Sequence, residues 1–384
     1  MTDFENGKQL VNLIKYYCFN GEKPIISNYK EVLKVALYNS LTNIFYLAIK
    51  DDENCPEDVK NYALRKYNAN VHLLELQKYY SEQIYNKLDE KGVNYLPIKG
   101  ASIRKTYKSE VLRTSCDVDF YYDDNKRALL DEALSELGFS SGILGKYHLL
   151  YKNSQVTVEA HFVLTSTLDT DGGRNFDKKF ENFFEKNEAV KGCGYALNDF
   201  DAYLQFTMHN VKHLTSGGFG IRTVLDYAYL NLYNEKELDG FIERLEEFGV
   251  KDLVVAIKNL IDYWFFDKEA SEETLKLEKF VLRSDTYGSS YNSASYVTVV
   301  TGKKKFVKLR YLFRKIFPSY KGLCIKYAWL KKAPILLPIA HVVRWFEAIF
   351  IRPRSIKHVA KTIKGLNVEE IDDVEKLMKS LNIK

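Results

Sequence analysis

Apolar residues recur at helical spacing over the first ninety positions. Leu10, Leu13, Ile14 and Tyr17 share one helix face, and residues 29–49 repeat the spacing. A longer pattern begins at Pro56 and runs through Leu73, Leu74, Leu76, Tyr79, Tyr80, Ile84 and Leu88, with Gly92 placed to end it. The period changes at Val93. Val93, Tyr95 and Pro97 precede Lys99-Gly100, residues 101–107 read as helix, and 117–122 as strand. Asp124 is placed to cap a helix that buries Ala128, Leu129, Ala133, Leu134 and Leu137 and stops at Gly138. Residues 147–151 and 155–164 read as two strands joined at Asn153-Ser154.

After the loop Thr170-Asp171-Gly172-Gly173, helical spacing returns over 200–214, 221–233, 238–250 and 253–266, with a break at Ser216-Gly217-Gly218. The polar, Gly/Ser-rich stretch 284–295 reads as a linker. The pattern predicts an α+β fold in which a small mixed β-sheet core is inserted between largely helical N- and C-terminal regions. The expected divisions are 1–90 (helical), 91–170 (core), 171–283 (helical) and 284–384 (basic and largely helical).

Composition narrows the class. The 28% charged and 46% hydrophobic residues are ordinary for a globular protein. The five cysteines are scattered and odd in number, which favours reduced thiols over a disulfide framework or a zinc cluster. No signal-peptide pattern opens the chain and no long uncharged apolar run follows, so a cytoplasmic protein without a transmembrane span is expected. Net charge is only +5, but residues 303–364 hold 17 Lys and Arg against the single acid Glu347. Interleaved with Tyr311, Phe313, Phe317, Tyr320, Tyr327 and Trp329, those cations suit RNA or an anionic membrane surface; a solvated basic face is the plainer alternative.

The chemistry concentrates in residues 96–122. In a strand, Asp117 and Asp119 project from one face, and two adjacent carboxylates repel unless a cation lies between them. Mg²⁺ or Mn²⁺ is the expected partner, because hard oxygen ligands suit it. Glu159, with Thr157 and His161 on its strand face, completes an acidic triad if the two strands are neighbours. Lys99, Gly100, Arg104 and Arg113 form a plausible anion-binding side, with Gly100 allowing close backbone approach. His209 and His213 stand at i, i+4 but lack the glutamate of an HExxH site, which counts against a metal there. Arg222 and Asp226 share a helix face and are expected to pair, with a place at the site's rim as the alternative.

Taken together, Lys99-Gly100, Arg113, Asp117-Val118-Asp119 and the strand Val158-Glu159-Ala160-His161 resemble the uncharacterised nucleotidyltransferase family of the DNA polymerase β superfamily. The arrangement is also similar to abortive-infection and toxin nucleotidyltransferases. The resemblance continues in HNVKHLTSGGFGIRTVLD, residues 209–226. It implies that Asp117, Asp119 and Glu159 are catalytic metal ligands, Glu159 being the third ligand or the base. It also implies that Lys99, Gly100, Ser102, Arg104, Arg113 and His161 bind the nucleotide. Lys99-Gly100-Ala101 stands where the wider superfamily carries Gly-Ser, and Ser102 falls one residue late.

The implied activity is Mg²⁺-dependent transfer of a nucleoside monophosphate from an NTP to the hydroxyl of a small molecule, a protein or a tRNA end. The rival expectation is a non-catalytic protein of degenerate transferase fold, docking on nucleic acid or membrane through 303–364.

Overall fold

The computed structural model describes residues 4–145, 147–164, 168–286, 288–300, 307–351, 359–360, 363 and 368–382. It is an α+β protein with one five-stranded mixed sheet set among helices, as the hydropathy pattern predicts. The N-terminal helices are α1 (Phe4–Phe19), α2 (Tyr29–Tyr38), α3 (Thr42–Ile49) and the 35-residue α4 (Glu57–Lys91). The apolar stretch 29–49 is two helices, because the chain breaks at Ser40, whose φ is +56°. Gly92, at φ +67°, ends α4 in the left-handed conformation that a C-terminal glycine permits.

The core follows as β1 (Tyr95–Pro97), the short α5 (Gly100–Arg104), β2 (Asp117–Tyr122), α6 (Arg127–Glu136), β3 (Ile143–Leu144), β4 (His148–Lys152) and β5 (Thr157–His161). The strand order is β1-β2-β5-β4-β3. β2 and β5 are parallel and the remaining pairs antiparallel. Asp123, not Asp124, caps the turn into α6 by accepting from the Asn125 N–H; Asp124 instead accepts from the Tyr122 hydroxyl. The hairpin after β4 turns at Asn153, whose side chain accepts from the backbone of Gln155 and Val156.

Strand alternation divides the sheet's faces. Val118, Phe120, Tyr122, Leu149, Tyr151, Val158 and Ala160 are buried in a cluster with Ile84 and Leu88 of α4 and Leu130, Ala133 and Leu134 of α6. The other face carries Asp117, Asp119, Glu159, His161 and His148 toward the helical region that follows.

That region contains α7 (Asp171–Phe180), α8 (Phe183–Lys186), α9 (Asp199–Ser216), α10 (Ile221–Tyr233), α11 (Leu238–Arg244), α12 (Lys251–Phe265) and α13 (Glu272–Leu282). The stretch read as a linker is helical from residue 290, in α14 (Ser290–Val300). Burial overrides its Ser-rich composition: Asn292 is enclosed and donates to Phe280 O at 3.1 Å and Ser284 Oγ at 2.8 Å. Beyond lie α15 (Val307–Ile316), α16 (Tyr320–Lys326), α17 (Leu337–Phe346) and α18 (Val368–Ser380). Within the basic stretch 303–364, residues 303–306, 352–358, 361–362 and 364 lie outside the described residues. No described helix is long and apolar enough to cross a membrane. The five cysteines are free thiols.

One apolar core joins residues far apart in the chain. Leu10, Ile14, Phe45, Ile98, Tyr203, Leu225, Ile257, Val281 and Leu377 belong to the same buried cluster. A polar tie runs through it: Asn39, 1% exposed, accepts from the Ile221 N–H at 2.8 Å and donates to Val35 O at 3.1 Å. Asn39→Ala strands that buried donor at the start of α10. It should cost about 1–3 kcal/mol, read as a lower denaturation midpoint in urea.

Candidate active site

The parallel pairing of β2 with β5 sets Asp119 directly opposite Glu159, and Asp117 opposite Thr157. With the period-two alternation of strands, this puts all three carboxylates on one face. One oxygen from each lies within 4.8 Å of the others, a set able to hold a metal ion. They open into a cavity of about 240 Å³ whose floor is the sheet and whose opposite wall is α9 and α10.

Lys99 enters this cluster from the turn before α5. Its ammonium is 2.6 Å from Asp119 Oδ1, 3.4 Å from Glu159 Oε2 and 3.0 Å from His161 Nε2. The backbone is bent to deliver it: Lys99 has φ +52° and ψ −113°, a conformation that residues with a Cβ rarely adopt. Strain of this kind costs on the order of 1–3 kcal/mol and persists where the surroundings impose it. The positive φ thus belongs to Lys99, not to Gly100. Gly100 is needed for space, since a Cβ there would stand 3.2 Å from an Arg113 guanidinium nitrogen and 3.3 Å from Ser115 Oγ.

The charges divide unequally. Burial pushes the Asp117 carboxyl up to about 6, reinforced by Asp119 and Glu159 and opposed by Lys99 and a Ser115 hydrogen bond. Glu159 is held well below the ordinary carboxylate range, first by its His161 hydrogen bond, with nearby Lys99 helping against the opposing effect of burial. Burial disfavours the Lys99 ammonium, but Asp119 and Glu159 overcome this and raise its pKa. Burial lowers the pKa of His213 to about 4 and holds that of His209 well below the ordinary imidazole value, so both are neutral; their Nε2 atoms lie 3.0 Å apart on the cavity wall.

Of the residues picked out in sequence, Lys99, Gly100, Arg113, Asp117, Asp119, Glu159, His161, Arg222 and Asp226 all line this cavity. Arg104 and Ser102 are not among its lining residues. Arg104 is buried and donates to Gln77 Oε1 at 3.2 Å, while Ser102 donates to Pro97 O at 3.3 Å. Asp226 is engaged by Arg113 and not by its helix neighbour Arg222. Its oxygens accept from Arg113 Nε at 2.9 Å and Nη2 at 3.1 Å, and from the Tyr107 hydroxyl at 2.7 Å. The reason is burial: Arg113 is 7% exposed and Asp226 2%, so each needs the other's charge. Arg222 reaches Thr114 O at 3.4 Å.

Several contributors carry no motif. Gln77, within the helical region that sequence gave no chemical role, donates from α4 to Ser115 O at 3.1 Å and Asp117 O at 3.4 Å. His148 faces Glu159 from β4, and Asn210, Lys212 and Thr223 complete the wall. A polar Gln77 in line with Leu74, Ile84 and Leu88 on the buried face of α4 was the local signal for the first.

Compared with known proteins, residues 27–266 match the model of a family described as uncharacterised nucleotidyltransferase. The chain belongs to that family. No curated protein and no solved structure matches it.

Two stability effects follow from this geometry. A carboxyl whose folded pKa is raised stabilises the fold below its unfolded pKa, near 3.8, and loses that contribution as pH rises through about 6. Asp117→Asn should therefore raise the melting temperature of the metal-free protein at pH 7.5. A gain on the order of 1 kcal/mol would appear as about 2–4 °C; it should vanish near pH 4, as scanning fluorimetry across pH would show. Asp226→Ala leaves the Arg113 charge buried and should destabilise by about 3–5 kcal/mol at neutral pH, measured by chemical denaturation.

Proposed function

We propose that the protein transfers a nucleoside monophosphate from an NTP to an acceptor hydroxyl, with release of pyrophosphate. The observation that carries this reading is the convergence of Asp117, Asp119 and Glu159 on one sheet face beneath the Lys99-Gly100 turn. Membership of a nucleotidyltransferase family supports the reaction class. Three carboxylates with one ammonium leave a negative excess that fits a divalent cation. Asp117, with its raised pKa, is the group most in need of one. Bound there, Mg²⁺ or Mn²⁺ would neutralise phosphate charge and orient the transferring group.

The chain's own residues supply the rest. Lys99 sits at the cluster's edge on a flexible stem and can turn from Asp119 toward an incoming phosphate oxygen. The Arg113 guanidinium is fixed by Asp226, which the Tyr107 hydroxyl holds in turn, so it presents a rigid positive surface beside Gly100 rather than a mobile clamp. Glu159 is held ionised by His161 and Lys99 and is better suited to ligation than to proton abstraction. Asp117, whose raised pKa belongs to the metal-free site and falls once a cation is bound, is likewise a ligand. His161 orients Glu159 and contacts Asp119 at 3.2 Å. Catalysis is then positioning and charge neutralisation.

A second reading, docking through the basic C-terminal region, is favoured by one observation. Phe313, Ile335, Phe346 and Phe350 are 60–87% exposed among its cations. Such a surface suits a tRNA acceptor or an anionic membrane.

Incubation with each α-labelled NTP, Mg²⁺ and cell extract should label one acceptor. Asp117→Ala should lower labelling at least about 100-fold, the scale expected when a charge-stabilising group at the reacting centre is lost. Full labelling by that variant sinks the assignment. Absence of NTP and metal binding by calorimetry, with RNA or liposome binding intact, selects the docking reading.

A further inference from the structure

Four of the protein's seven histidines, His148, His161, His209 and His213, line the same cavity as the three carboxylates. An all-oxygen site for Mg²⁺ has no use for imidazole, which suits transition metals instead. Two of these histidines flank Glu159. His148 and His161 are directly opposite each other on β4 and β5, so both rings leave the sheet on Glu159's face. His148 Nε2 is 3.8 Å from Glu159 Oε1, and His161 Nε2 is 3.5 Å from Glu159 Oε2. The three ligand atoms fall within 4.8 Å of one another.

We propose that His148, Glu159 and His161 form a second metal centre that takes a first-row transition ion such as Zn²⁺, with Glu159 shared between it and the carboxylate centre of Asp117 and Asp119. Metal–ligand bonds near 2.0–2.1 Å place neighbouring ligand atoms about 3 Å apart, so small side-chain rotations close the set. Three protein ligands leave a coordination position open to the cavity. The supports are rigid: His148 and His161 stand on adjacent paired strands, with no loop between strand and ligand. His161 is 7% exposed, and the His148 side chain is 28% exposed, so the centre is held on one side and reachable on the other.

Lys99 Nζ lies 3.0 Å from His161 Nε2 and within reach of Glu159, in the position of a competing cation. An entering ion displaces it, and its four-carbon stem lets it swing into the cavity. The centre does not require nucleotidyl transfer; it shares Glu159 and His161 with that reading.

The test uses the full chain, stripped with chelator, and titrates Zn²⁺ by calorimetry in excess Mg²⁺. One Zn²⁺ per chain should bind. His148→Ala and His161→Gln should each weaken it at least tenfold, with Mg²⁺ binding intact in His148→Ala, and Lys99→Met should tighten it. Asp117→Asn should weaken Mg²⁺ and spare Zn²⁺. Zn²⁺ affinity unchanged in both histidine variants, or lost equally in Asp117→Asn, overturns the proposal.

Electron-spin-echo spectra of the Cu²⁺-loaded wild type need no variant and should show coordinated imidazole nitrogen; its absence also overturns the proposal. Label transfer is scored separately. Its persistence in Asp117→Asn would remove the transfer reading and leave the Zn²⁺ result standing.

Discussion

Three carboxylates packed within 4.8 Å of one another, one of them 6% exposed, repel strongly in a partly dehydrated site. Much of the surrounding structure holds them together despite this. Lys99 brings a compensating charge at the cost of an unfavourable backbone conformation. Ser115 hydrogen-bonds Asp117, and Gln77 secures the backbone of Ser115 and Asp117 from α4. Even so, Asp117 retains a raised pKa, which marks residual demand for a cation. Unmet demand for positive charge fits a divalent cation, for which the three carboxylates offer ligand atoms.

The helices matter to this site through what they fix. α9 and α10 close the cavity from the face opposite the sheet, and Asp226 of α10 immobilises Arg113 in the segment leading to β2. Asn39 ties the end of α2 to the start of α10. The first ninety residues therefore share a core with the wall of the site and also supply Gln77 directly. The match of the family model begins at residue 27, so it takes in α2, α3 and α4 and leaves out α1.

Much was legible along the chain. The Asp117–Tyr122 strand, the Gly92 stop and α10 (Ile221–Tyr233) fall where hydropathy and turn chemistry place them. The Asp pair and the Lys99-Gly100 turn were visible as local chemistry. The α14 helix was not, because its Ser-rich sequence becomes helical through burial of Asn292 and packing on α9 and α18. Arg104 read as a phosphate ligand because its cationic type was visible and its direction was not. The turn of α5 sends it to Gln77, away from the cavity.

Sequence alone determined the types of group available, the strand alternation that puts Asp117 beside Asp119, and the family resemblance. Those properties are local: they depend on spacing within a strand or a turn. Tertiary structure decided which distant groups meet. The parallel register of β2 with β5 delivers Glu159 to Asp119, and β4 pairing delivers His148 to His161. Burial of Arg113 selects Asp226 as its partner. Register and ion pairing are settled by which surfaces can be buried together, and that depends on the whole chain at once.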